Sequence, residues 1–119
     1  MNKEDVLQAK IIVFFKNQYQ INGKGLIFAV PNGGSRNIIE AKKLKATGLM
    51  AGVSDLIILK PNGETIFIEV KTDIGIQSPI QINFQKKVEE LGFKYCLVRS
   101  LEEFKNCIIS KQWKRNPQQ

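Results

Sequence analysis

Two isoleucine-rich runs, residues 56–59 and 65–70, lie on either side of Lys60-Pro61-Asn62-Gly63-Glu64, and that pairing narrows the folds open to the chain. Proline fixes the first turn position, asparagine suits the second, and glycine accepts the left-handed conformation, which describes a three-residue hairpin loop with a bulge at Gly63. Lys60 then pairs with Glu64. The runs are continuously apolar rather than alternating, so both are predicted to be strands covered on both faces. Following the register back sets Leu59 opposite Thr65, Ile57 opposite Phe67, and Asp55 opposite Glu69. Opposed residues share a face, with Cβ atoms about 5 Å apart. Lys71, two residues past Glu69, points to that same side. A loop one residue longer or shorter would turn Asp55 away.

The remaining segments supply helices and two further strands. Residues 2–19 carry Leu7, Ile11, Phe14 and Phe15 at helical spacing, with Asn2 as the cap. Glu4 and Gln8 share the stripe of Ile11 and Phe15, which aims Glu4 toward the core side; an acidic residue in a first turn also simply suits the helix dipole. Residues 26–30 read as a short strand ending at Pro31, followed by the loop Asn32-Gly33-Gly34-Ser35. A basic helix is expected over 38–47, with Lys42, Lys43 and Lys45, ended by Gly48. Ser78 caps a helix begun by Pro79, whose apolar stripe is Ile80, Phe84, Val88 and Leu91; Gly92 ends it. Residues 93–98 form a strand, and Ser100 caps a last helix over 101–110. The expected division is one domain over 1–110 and a polar tail over 111–119, in which Trp113 among Lys111, Lys114 and Arg115 reads as a packing anchor in preference to a base-stacking residue. At 119 residues the chain has the length of one domain, which buries roughly two-thirds of its unfolded surface.

Charge and composition restrict the chemistry. Lys and Arg outnumber Asp and Glu by 18 to 11, for a formal charge of +7, which favours contact with polyanions such as nucleic acid. Histidine is absent, which removes histidine general bases, histidine-ligated zinc and Ser-His-Asp hydrolysis. No apolar run approaches the roughly 20 residues that span a bilayer. With no secretory leader in view, a cytoplasmic location in a bacterial cell or phage-infected host is expected. Cys96 and Cys107 are accordingly expected to be reduced, buried thiols.

Two carboxylates facing each other across a hairpin, on a face lined by Ile57 and Phe67, repel with little help from water. Lys71 offsets part of that charge. Oxygen ligands converging with room for water are also what Mg²⁺ prefers, and the carbonyl of Val70 can complete the protein ligands. Cleaving a phosphodiester needs an activated water, neutralisation of charge growing at phosphorus, and a stabilised leaving oxygen. A carboxylate-bound metal can provide all three. Lys71 beside it can lose its proton and act as base, or stay protonated and stabilise the transition state; the sequence leaves both roles open. An E-x-K strand segment alone fits a plain surface ion-pair cluster somewhat better than a metal site.

A wider pattern separates these readings. Glu4 and Gln8, Pro31-Asn32-Gly33-Gly34, Gly48-x-x-x-Gly52-Val53-Ser54-Asp55-Leu56, Ile68-Glu69-Val70-Lys71-Thr72, Ser78-Pro79-x-Gln81, Gly92 and Val98-Arg99-Ser100 occur in that order along most of the chain. In this the chain resembles the VRR-NUC (virus-type replication-repair nuclease) family of the PD-(D/E)xK nuclease superfamily. The resemblance implies an α/β fold, a single restriction-endonuclease-like domain with a mixed β-sheet flanked by α-helices. It implies a Mg²⁺ or Mn²⁺ site on Asp55, Glu69 and the Val70 carbonyl, with Glu4 a candidate further ligand, Lys71 in catalysis and Gln81 in support. Asn32, Arg36, Lys42, Lys43 and Lys45 are candidate DNA contacts. The implied activity is a DNA endonuclease selective for branched structure, resembling Holliday-junction resolvases or nickases and acting as a homodimer. A restriction-like nuclease and an inactive DNA-binding module are the alternatives. Ser54 replaces the proline of the superfamily's name, which leaves the strand start less rigid.

Overall fold

The computed structural model describes residues 1–31 and 38–109. Its elements run α1 (Lys3–Gln18), β1 (Leu26–Ala29), α2 (Ile38–Ala46), β2 (Leu56–Leu59), β3 (Thr65–Val70), α3 (Pro79–Glu90), β4 (Lys94–Val98) and α4 (Leu101–Ile109). The strands form one mixed sheet in chain order: β1 and β3 are antiparallel to β2, and β4 is parallel to β3. The parallel pair needs a crossover, which α3 provides.

The hairpin forms in the register its turn dictates, with Leu59 opposite Thr65 and Ile57 opposite Phe67. The Lys60 N–H donates to Glu64 O at 2.7 Å, and the two side chains form an ion pair at 3.0 Å. Asn62 as well as Gly63 is left-handed, with φ of 69° and 77°, a conformation asparagine tolerates better than most residues. The helix starts also follow their caps: Asn2 Oδ1 accepts from Asp5 N–H at 2.8 Å, and Ser100 Oγ accepts from Glu103 N–H at 3.1 Å. One short 3-10 turn at Gln20–Asn22, closed by left-handed Gly23, was not expected from the sequence.

Alternation along the strands divides the molecule into layers. Leu56, Ile58, Ile66, Ile68, Val70 and Val98 face α1 and α4, where Ile11, Phe15, Phe104 and Ile108 complete the main core. Each fully buried side chain of this kind contributes about 1.5–3 kcal/mol. On the other face α3 places Phe84 and Val88 over Tyr95, with Val53, Phe67 and Phe93 packed around them.

Two expectations about this second face are corrected. It is not fully covered, since Leu59 and Phe28 remain 40% and 41% exposed; α3 lies over the β3–β4 half and leaves the β1 edge open. The apolar stripe of α3 is also shorter than its spacing suggested, because Ile80 and Leu91 are 55% and 74% exposed. The helix docks through its middle turns. Its first turn meets the chain instead at Gly52, where an added Cβ would lie 2.7 Å from Ile80 O at a φ of +85° that other residues rarely adopt.

The cysteines are a further correction. Cys96 on β4 and Cys107 on α4 form a disulfide, where free thiols were expected. Cys96 lies on the sheet face toward α4, and α4 turns Cys107 back onto it. The end of α4 is also tied to the sheet by Lys94, whose ammonium donates to Cys107 O, and by Lys60, which donates to Ile108 O. Burial, and then the nearby charge of Lys60, push the Lys94 pKa below its ordinary value. Among the described residues no helix is long and apolar enough to cross a membrane. Trp113 and the 111–119 tail lie outside the described residues.

Candidate active site

The site forms where β2 begins and β3 ends, on the face shared with α3. Continuing the register one step beyond Leu56 and Ile68 sets Asp55 opposite Glu69. Asp55 Oδ2 accepts the Val70 N–H at 2.7 Å, so the carboxylate bridges to the neighbouring strand. Asp55 O accepts from Val30 N–H at 2.8 Å, which continues the β1 pairing past its last formal residue. Ser54, fully buried, donates from Oγ to Leu56 O at 3.2 Å. The serine thus ties its side chain to the strand backbone by a hydrogen bond that a proline could not make.

Glu69 is 1% exposed. Its Oε2 accepts from Gln81 Nε2 at 3.1 Å and pairs with Lys71 Nζ at 3.5 Å. Its Oε1 is buried with no hydrogen-bond partner among the described residues. Burial, with the Asp55 charge second, raises the Glu69 pKa from 4.5 to about 7, against the opposing pull of Lys71. A carboxylate oxygen left unpaired in the interior costs free energy until something cationic or a proton meets it. Asp55 and Glu69, opposed across the two strands with that oxygen unpaired, therefore fit a hard divalent cation.

Gln81 has two attachments. Its Oε1 accepts the Ser78 N–H at 2.9 Å while Ser78 Oγ accepts the Gln81 N–H at 3.3 Å, closing a capping box at the start of α3. The amide nitrogen is thereby aimed at Glu69, with the two ends of the side chain serving fold and site at once.

Two neighbours of the site had no role assigned from the sequence, although one of them, Arg99, stands in the Val98-Arg99-Ser100 segment of the pattern. Tyr95 is buried beside Glu69 on the same sheet face, its hydroxyl accepting from Gln77 Nε2 at 3.2 Å. Burial and the Glu69 charge raise its pKa well above the ordinary tyrosine value. The parallel register of β4 against β3, which sets Tyr95 beside Phe67, is what could have found it. Arg99 is the other, donating from Nη1 to Thr72 O at 2.6 Å and Gly75 O at 2.7 Å.

Of the remaining candidates, those among the described residues are not drawn together in this way. Glu4 sits half-buried on α1, and among the described residues no three acidic or cysteine side chains gather as a metal group. Glu4 is therefore not brought in as a third carboxylate. Lys42, Lys43 and Lys45 are exposed on α2. Asn32 and Arg36 lie outside the described residues.

Comparison with known proteins bears on the family and the fold. The sequence model of the VRR-NUC domain matches residues 3–115. A solved structure titled "VRR_NUC domain protein" superposes with a TM-score of 0.71 at 22% identity, covering 91% of this chain and 86% of that one. Another, titled "VRR_NUC domain", gives a TM-score of 0.60 at 19% identity, covering 87% of this chain and 95% of that one. No curated protein sequence matches.

Proposed function

From the premise that the chain belongs to the VRR-NUC family, we propose that it is a Mg²⁺- or Mn²⁺-dependent endonuclease that hydrolyses DNA phosphodiester bonds. The ligands in this reading are Asp55, Glu69 and the Val70 carbonyl. The observation that carries it is the buried Glu69 Oε1, unpartnered beside Asp55, with a cationic Lys71 on the same carboxylate.

When bound, the divalent ion supplies the charge that neutralises the phosphoryl group as negative charge builds on it, and it eases ionisation of the attacking water. The chain's own residues do the rest. Gln81 and Lys71 both engage Glu69 Oε2, which leaves Oε1 as the oxygen free for a cation. The Val70 N–H holds one oxygen of Asp55 and so anchors that end of the carboxylate beside β3. Lys71 contributes a donor beside the site, to the attacking water or to a non-bridging phosphate oxygen. The formal charge of +7 supports a polyanionic substrate. An inactive DNA-binding module is the weaker reading, since Asp55, Glu69 and Lys71 are all present and drawn together.

The test is incubation with supercoiled plasmid, linear duplex and a synthetic four-way junction, in Mg²⁺, Mn²⁺ or chelator, beside Asp55→Asn and Lys71→Ala. Cleavage only with divalent ion, lost in both variants, is the expected result; nicking that survives in Asp55→Asn removes the site assignment. The branched-DNA preference and homodimer implied by the resemblance belong to the same proposal. Equal cutting of junction and linear duplex, or a monomer at working concentration by sedimentation, removes those two parts and leaves the nuclease.

A further inference from the structure

Residues 72–77 leave β3 directly after Lys71 and form no regular element, so their backbone groups need partners from elsewhere. Three of their carbonyls, Thr72 O, Asp73 O and Gly75 O, converge on Arg99 Nη1 at 2.6, 3.5 and 2.7 Å. Carbonyl dipoles aimed at one point repel unless a cation stands there, and a guanidinium is a permanent one. Its own backbone is fixed, since the Arg99 N–H donates to Glu103 Oε1 at 2.7 Å. The residue before it accepts the Lys71 N–H, Val98 O lying at 3.0 Å. Lys71 is therefore held on one side by the last residue of β4 and on the other by the loop that Arg99 gathers.

The gathered loop also reaches the lysine side chain. Gly75 folds back until a Cβ placed on it would lie 3.4 Å from Lys71 Cδ, and the turn is closed by Gly75 N–H donating to Thr72 O at 3.1 Å. The loop backbone thus walls the aliphatic stem whose ammonium stands 3.5 Å from Glu69 Oε2. We infer that Arg99 is a positioning residue for Lys71, acting through the 72–77 loop to restrict where the lysine ammonium can stand. The inference rests on the nuclease reading for its catalytic consequence, and on geometry alone for the brace.

Arg99→Met keeps an unbranched apolar stem and removes the cation; Arg99→Lys restores the charge without the planar fork. Both are made in the full chain, and four quantities are read: thermal melting, hydrogen exchange at the Gly75 amide, kcat and KM on supercoiled plasmid, and the NMR shift of Lys71 after reductive ¹³C-methylation. For Arg99→Met the expectation is a cooperative melt, faster Gly75 exchange, a moved Lys71 resonance, kcat lower by about tenfold or more and KM within about twofold of wild type. Arg99→Lys should lie between the two. A KM increase with the salt slope reduced by about one points to direct phosphate contact and overturns the proposal. Unchanged kcat with accelerated exchange overturns it as well, as does loss of the cooperative melt in both variants, which makes Arg99 a residue of the fold alone. If wild type cleaves nothing, the nuclease reading fails by itself, and the Lys71 resonance still decides the brace: unmoved in Arg99→Met, it refutes it.

Discussion

The Asp55 carboxylate reaches across the β2–β3 boundary to the Val70 N–H at 2.7 Å, so the two acidic strand ends are tied through the residue immediately following Glu69. This contact survives replacement by asparagine, whose side-chain oxygen can accept the same hydrogen bond. What Asp55→Asn removes is charge. The protein should keep its melting temperature within a few degrees, while affinity for Mn²⁺, read by calorimetry, falls by about 100-fold or more and cleavage falls with it. A fold that collapses in Asp55→Asn, or unchanged Mn²⁺ affinity, would contradict this assignment of roles.

The raised pKa of Glu69 makes stability depend on pH in a defined direction. Between 4.5 and about 7 the folded protein keeps a proton that the unfolded chain has released. Unfolding then releases a proton, and stability falls as pH rises through that window. The contribution is fully present below 4.5, lost above about 7, and amounts to about 3 kcal/mol if the whole difference is expressed. Denaturant titrations of chelator-treated protein across this range should show the decline, and Glu69→Gln should flatten it. Added Mg²⁺ should stabilise the protein strongly near pH 8 and little near pH 5, because proton and ion compete for one carboxylate. An equal Mg²⁺ effect at both values would place the ion elsewhere.

How far these features could be read beforehand depends on whether their cause is local. The hairpin register follows from Pro61, Asn62 and Gly63, and with it the shared face of Asp55 and Glu69, because turn chemistry fixes every pairing beyond it. The caps at Asn2, Ser78 and Ser100 are equally local. The open half of the α3 face was not legible: an isoleucine-rich run reads alike whether one face or both are covered, and only the placement of α3 decides. Cys96 and Cys107 become partners only when α4 returns onto β4. Arg99 belongs to the Val98-Arg99-Ser100 segment of the pattern, but it binds backbone carbonyls, which every residue has, so its place against the 72–77 loop was not legible.

The Cys96–Cys107 disulfide closes a short loop, with a sequence separation of 11. Closing a loop of that size in the unfolded chain corresponds to about 3 kcal/mol of stabilisation in the chain-entropy treatment. Melting in the presence of a strong reductant, or of the Cys96→Ser, Cys107→Ser double variant, should therefore occur at a clearly lower temperature, with nuclease chemistry retained below the transition. Titration of free thiols in the non-reduced, denatured protein should find none from this pair. Two titratable thiols would remove the bond from the account of stability.

Gln81 allows fold and site to be separated by a single atom. Its Oε1 completes the capping box with Ser78, and its Nε2 donates to Glu69 Oε2. Gln81→Ala removes both and should cost about 1 kcal/mol of stability from the lost cap contact. Gln81→Glu keeps an acceptor for the Ser78 N–H, since glutamate serves equally well at this position of a capping box, but it replaces the donor with a second carboxylate facing Glu69. That variant should melt close to wild type in Mg²⁺ and still lose cleavage by about 10–100-fold, because the oxygen that Gln81 held is no longer oriented. The added negative charge should also raise the Glu69 pKa further, shifting the pH at which metal-free stability declines to higher values. If Gln81→Ala and Gln81→Glu instead lose stability and activity in parallel, the residue acts only through the start of α3, and its hydrogen bond to Glu69 has no part in the chemistry.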